Sequence, residues 1–137
     1  MKERSRILCA AGHRYQMGPR GSRESISAIL LGYDINFAQN EFDLIEQARE
    51  GGYDLILMNC LRLDGRYIRA CTLLRMFDPV TPLLLITNSP GMTEDEAASA
   101  GAQGLCSTGA ANFEHDISQR ASDLINGKAL IFETRQI

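Results

Sequence analysis

Three short stretches of this 137-residue chain are apolar without alternation: Ile7-Leu8-Cys9-Ala10-Ala11, Leu55-Ile56-Leu57-Met58 and Leu83-Leu84-Leu85-Ile86. A strand with one wet face alternates apolar and polar residues. A strand covered on both faces does not, and that is the condition of the inner strands of a parallel sheet. Two weaker runs complete the set, Tyr33 to Ala38 around Ile35 and Phe37, and a short one around Gly104-Leu105-Cys106.

Helix signals fill the gaps. Ile26, Ile29 and Leu30 mark a first helix ending at Gly32. Asn40 is placed to cap a second, with Phe42, Ile45 and Ala48 inward and Gly51-Gly52 as its stop. Asp64 is placed to cap a third that runs to Phe77 with Ile68, Cys71 and Leu74 inward. Thr93 and Glu96 have capping-box spacing for a fourth. Asn112 is placed to cap a fifth, with Ile117, Ala121, Leu124 and Ile125 on one stripe and Gly127 at its end. The expected class is therefore α/β: a doubly wound five-stranded parallel sheet with helices on both faces and strand order 2-1-3-4-5, a flavodoxin-like arrangement. Residues 1–127 form one domain in this reading. Residues 128–137 (KALIFETRQI) fall outside the pattern, as a tail, an extra strand or the start of a linker.

Composition excludes several classes. Apolar residues at 45% and charged residues at 23% are ordinary for a globular domain, and the length suits one domain only. No apolar run approaches the ~18 residues of a membrane span, and the opening MKERSRILCAAGHR is too short in apolar residues for a secretory signal. A cytoplasmic location and no membrane partner are the expectation. The net charge of −3 gives no motive for nucleic acid. Residues 1–23 are locally basic (Lys2, Arg4, Arg6, Arg14, Arg20, Arg23 against Glu3), which reads first as a solvated edge and second as an anion or partner site. The cysteines, Cys9, Cys60, Cys71 and Cys106, show no C-x-x-C spacing. With two histidines in the chain they make no zinc site, and they read as small buried hydrophobes.

In an open α/β sheet, ligands bind beyond the carboxyl ends of the strands, where strand order reverses. The residues due there are Ala11-Gly12-His13, Asn59-Cys60, Thr87-Asn88 and Ser107-Thr108-Gly109. The pattern from residue 6 to about 126 resembles the receiver domain of two-component response regulators. The stretch GYDINFAQNEFDLIEQAREGGYDLILMN (residues 32–59) is similar to the family's second strand, second helix and third strand. Asp64-Gly65 resembles its Asp-Gly after the phosphorylation loop, Pro82 to Thr87 ends in its threonine, and Ala100-Gly101-Ala102-Gln103-Gly104 resembles its lead into the fifth strand.

The resemblance implies phosphotransfer to an aspartate, with an acidic pair and Mg²⁺ beside it, a hydroxyl after strand four and a lysine after strand five. Those roles fall here on Asn59 for the acceptor, Ala11 and Gly12 for the acidic pair, Thr87 for the hydroxyl and Thr108 for the lysine, with Gly109 where a proline follows it. Only Thr87 keeps the family's chemistry. The loop after Asn59 is about two residues short of the family's and lacks its Met-Pro, and the aromatic switch position on strand five is Leu105. Mg²⁺ requires hard oxygen ligands, and three lost carboxylates leave one amide oxygen, so no metal, cofactor or catalytic residue is expected. His13, Arg14, Arg62 and Arg66 on the flanking loops are expected to turn the pocket's field positive and to serve as anion or partner contacts. Asp54 cannot substitute as acceptor: it lies five residues before Asn59, ~16 Å away along a strand. A cap role for Asp64 and a backbone-satisfying role for the Thr87 hydroxyl are the plain readings.

Two functions follow. The first is a pseudo-receiver, a phosphorylation-independent interaction module whose partner is a signalling protein or a second copy, engaged through the fourth helix, fifth strand and fifth helix. The second is a small-anion or nucleotide sensor using the basic, glycine-rich segment Gly12 to Arg23, which matches neither phosphate-binding glycine motif. No catalytic constellation is legible. Cys60 and His13 come from adjacent strands, but Cys60 follows Asn59 and points to the opposite face.

Overall fold

The computed structural model describes residues 4–10, 22–60, 66–89 and 91–127, with the side chains of Cys60 and Arg66 left aside. In chain order the elements are β1 (Arg6–Ala10), α1 (Arg23–Ile29), β2 (Asp34–Phe37), α2 (Glu41–Glu50), β3 (Leu55–Cys60), α3 (Arg66–Phe77), β4 (Leu83–Thr87), α4 (Glu94–Ser99), β5 (Gly104–Ser107) and α5 (Phe113–Ile125). The five strands form one parallel sheet in the order β2-β1-β3-β4-β5. This is the class and strand order expected from the sequence.

The sheet is covered on both sides because residues of opposite parity feed two cores. Ile7, Cys9, Leu55, Leu57, Leu84, Ile86 and Cys106 face α1 and α5, where Ile26, Leu30, Phe113, Ile117, Ala121 and Leu124 meet them. Leu8, Ile56, Met58, Leu83, Leu85 and Leu105 face the other layer, with Leu44 and Ala48 of α2, Tyr67, Cys71 and Leu74 of α3, and Ala97 of α4. Every residue of β4 is buried, which explains its unbroken apolar run. Leu105, the switch position by resemblance, lies within the second core. Cys9, Cys71 and Cys106 are buried thiols, as their apolar contexts suggest.

Local signals account for most boundaries. The Asn40 side chain accepts from the Asp43 amide at 2.8 Å, and α2 stops at Gly51 with φ of 78°. The Thr93 hydroxyl accepts from the Glu96 amide at 3.1 Å. Asn112 departs from expectation. Its backbone is not extended, its side chain makes no capping bond, and the entry to α5 is closed by backbone turns, with the Phe113 amide on the Ala110 carbonyl at 3.2 Å. Asp64, the expected cap of α3, lies outside the described residues, as do Ala11 and the segment 128–137.

Phe42 and Ile68, expected inward, are both exposed. The error has one cause. Residues spaced by three (42, 45, 48 and 68, 71, 74) drift by about 60° per step on a helix of 3.6 residues per turn. The buried stripes are instead Leu44 with Ala48, and Tyr67 with Cys71 and Leu74, which keep four- and three-residue steps.

Candidate functional site

Three polar residues are buried among the described ones: Asn59 at 4% exposure, Thr87 at 1% and Thr108 at 7%. All three belong to the carboxyl edge of the sheet. Asn59 is the penultimate residue of β3, Thr87 ends β4, and Thr108 directly follows β5. Strand register brings them together: Asn59 lies opposite Ile86, Cys60 opposite Thr87, and Thr87 opposite Ser107. The Thr108 amide extends the ladder by donating to the Thr87 carbonyl at 2.9 Å.

The Thr87 hydroxyl accepts from the Ser89 amide at 3.0 Å, which turns the chain sharply out of β4. That is the backbone-satisfying role anticipated for a hydroxyl at a strand end. The Asn59 Oδ1 is sealed from solvent. It can accept hydrogen bonds but carries no charge, and an amide is a poor nucleophile. The donor set does not suit Mg²⁺, which needs oxygen ligands of high charge density. Asn59 contributes one amide oxygen, Ala11 and Gly12 contribute no side-chain oxygen, and no group of three or more His, Cys, Asp or Glu is clustered anywhere among the described residues.

Asp54 is at the other end of β3. Its Oδ2 accepts from the Arg6 amide at 2.9 Å while its own amide donates to the Arg6 carbonyl at 2.8 Å. It pins β1 to β3 at the amino edge and takes no part in the site. Gly12, His13, Arg14 and Arg62 lie outside the described residues, so their contribution is not placed; Arg66 opens α3. Ser22, at the end of the basic segment, caps α1 by accepting from the Ser25 amide at 3.2 Å.

Beside this corner, α4 and α5 flank β5. Arg120 of α5 bonds Asp116 at 3.0 Å and reaches Glu94 of α4 at 2.9 Å, closing the two helices over the sheet edge. Gly104 of β5 lies close against β4: a Cβ there would come within 2.9 Å of the Leu84 side chain. Sequence reasoning missed the Arg120 clasp. The signal was present in the four-residue spacing of Asp116 and Arg120, but the partner on α4 is set by tertiary structure. The Cys106 thiol nearby is held protonated, pushed up by burial and then by the charge of Asp116.

No protein-family model matches the sequence, and no curated protein matches it. Solved structures do match the fold. A signal receiver domain of an HD domain-containing protein from Pseudomonas fluorescens superposes with a TM-score of 0.69 at 14% identity, over 97% of this chain and 95% of that one. The receiver domain of a sensor histidine kinase from Pseudomonas aeruginosa, described with magnesium coordinated in its active-site cleft, gives 0.70 at 18% identity over 91% of this chain and all of that one. A LuxR-family two-component response regulator from Aurantimonas gives 0.71 at 19% identity, over 91% and 87%. The fold is that of a response regulator receiver domain.

Among the described residues no helix is long and apolar enough to cross a membrane.

Proposed function

We propose that this chain is a pseudo-receiver: a receiver scaffold in two-component signalling that acts as a phosphorylation-independent interaction module, in the cytoplasm, without enzymatic activity of its own. The observation that carries the reading is the triad at the carboxyl edge. Where a receiver needs an ionised acceptor, an acidic pair and a lysine, this chain has Asn59, Ala11 with Gly12, and Thr108, none of which carries charge. Transfer to an aspartate requires a carboxylate nucleophile and a cation to offset the charge gathered on the phosphoryl group. Neither is supplied by these side chains. The scaffold persists because its two cores do not depend on the corner.

The working surface in this reading is α4–β5–α5, facing a signalling protein. Leu105, buried where the family carries a switching aromatic, has no ring to exchange between two positions. The Arg120 ion pairs link the two helices, and with no ring to exchange, contact there is constitutive in this reading. The surface carries Glu94, Asp95 and Glu96 on α4 and Glu114, Asp116 and Asp123 against Arg120 on α5, a net −5. A second copy would meet the same sign, so this face is assigned to a different protein.

The test is incubation with labelled acetyl phosphate and Mg²⁺. The expected outcome is no acid-stable or alkali-labile label on the protein and no shift of its melting temperature by Mg²⁺ at millimolar concentration. Stoichiometric label on any carboxylate would overturn the reading.

A further inference from the structure

Six asparagines occur in the chain, and Asn126 alone is followed by glycine. The side-chain amide of an asparagine is open to attack by the main-chain nitrogen of the next residue. Glycine is the best attacker because no Cβ hinders its approach. The other five asparagines precede bulkier residues: Phe37, Glu41, Cys60, Ser89 and Phe113. The fold restrains several of them further. Asn36 Nδ2 donates to the Tyr53 hydroxyl at 2.8 Å, Asn40 Oδ1 accepts from the Asp43 amide at 2.8 Å, and Asn59 is buried. After Asn88 the attacking nitrogen would be that of Ser89, which donates to the Thr87 hydroxyl at 3.0 Å.

Asn126 is the C-cap of α5, and both it and Gly127 are exposed. Gly127 has φ of 83°, and its amide donates to the Leu124 carbonyl at 3.1 Å, the usual way for a glycine to end a helix. Asn126 Nδ2 reaches Ser122 Oγ at 3.4 Å, a long bond. Asn126 has ψ of 8°, so the Gly127 nitrogen nearly eclipses the Asn126 nitrogen. The Cβ of Asn126 is then roughly a third of a turn away about the Cα–C bond. Ring closure needs the Asn126–Gly127 peptide plane to swing toward that Cβ, which breaks the Gly127–Leu124 bond. A single exposed bond at a helix end opens far more readily than the core.

We infer that Asn126 is a site of spontaneous deamidation, gated by opening of the last turn of α5. The Gly127 nitrogen gives up its proton to solvent base and bonds to Asn126 Cγ, and the side-chain nitrogen leaves as ammonia. Water then opens the cyclic imide at either carbonyl, giving aspartate or isoaspartate. No oxidation or reduction takes place. The product puts a carboxylate where the last carbonyls of α5 point, the helix end that disfavours negative charge. The isoaspartate form also lengthens the main chain by one carbon at the turn. The chain thereby acquires, with time, a more acidic form altered at one end of α5.

The test is peptide mapping by mass spectrometry of the full chain held at mildly alkaline pH, in buffer and in guanidinium chloride. The expected result is conversion of amide to acid at Asn126 ahead of every other asparagine, with the product peptide split into two isomers. Conversion in buffer should be measurable but slower than in denaturant by roughly tenfold or more, because only molecules with the turn open react. Asn126→Gln should remove the product, since the longer side chain would have to close a larger ring. Circular dichroism verifies that this variant folds. A chain that keeps its amide in buffer while the denatured chain loses it would overturn the inference. So would equal rates in the two states, or first conversion at Asn88.

Discussion

The two edges of the sheet are built on opposite plans. At the amino edge, polar groups are charged and multiply bonded. The Arg75 guanidinium donates to the carbonyls of Gly101, Asp78 and Thr81 and to the Gln103 side chain, at 2.7–3.1 Å. Gln103 Oε1 also accepts from the Leu83 amide at 2.8 Å, and Asp78 Oδ1 accepts from the amides of Val80 and Thr81. Arg6 lies over the Tyr53 ring at 4.6 Å, and the Tyr53 hydroxyl accepts from Asn36 and donates to Gln47. At the carboxyl edge the buried polar residues among those described, Asn59, Thr87 and Thr108, are neutral and small. One edge ties loops and strands together; the other is the place where receiver domains do chemistry. Among the described residues, the polar bonds that tie loops to strands gather at the end of the sheet away from Asn59, Thr87 and Thr108.

The comparison breaks most visibly at Arg75. Arg75→Ala strands three carbonyls and a glutamine at once, and should cost about 3 kcal/mol. In urea this appears as a lower midpoint at unchanged slope. Arg75→Lys should recover only part, since an ammonium cannot span both loops as the planar fork does.

The opposite edge is probed by Asn59→Asp. A carboxyl buried there with no cation supplied by Ala11, Gly12 or Thr108 should be destabilising by about 2 kcal/mol at pH 7. The loss should shrink as pH falls and the acid protonates, and millimolar Mg²⁺ should not reverse it. Rescue by Mg²⁺ would mean that the corner still assembles a metal site.

A smaller effect comes from Asp78. Burial alone would raise its pKa, but the Thr81 and Val80 hydrogen bonds and then Arg75 outweigh it and hold the carboxyl below its ordinary value. A lowered folded-state value means the unfolded chain binds the proton more readily. Asp78 therefore adds stability above its ordinary range, near pH 4, and the contribution fades as pH drops through the lower folded value. Asp78→Asn should flatten this part of the stability–pH curve. The smallest effect is expected at the clasp. Arg120→Ala removes partly exposed ion pairs, worth 1 kcal/mol or less and weaker in salt, so melting temperature should move by only a few degrees while binding to a partner at α4–α5 changes.

Fold and site were legible in the sequence to different depths. Unalternating runs such as Leu83-Leu84-Leu85-Ile86 report burial on both faces, and their alternation with helix signals gave the class; the strand order came from the doubly wound arrangement that five such units suit. Placing Asn59, Thr87 and Thr108 at one edge needed only the ends of those runs. Helix faces were less secure: Phe42 and Ile68 satisfied a three-residue spacing that drifts off the core. The Arg75 network and the Glu94–Arg120 clasp could not be read at all, since their partners are 26 residues apart for Arg75 and Gly101, and on separate helices for the clasp. Long-range polar contacts leave no periodicity for a pattern to detect.

The buried thiols have a practical consequence. Cys9 and Cys106 sit in the layer beneath α1 and α5, and Cys71 in the layer beneath α2, α3 and α4. A thiol reagent reaches each one only when its own layer parts, so with Cys60 replaced by serine the three become native clocks. Equal labelling rates would describe a body that opens in a single event, and a slower Cys71 would mark the two halves as separate hinges of the same shell.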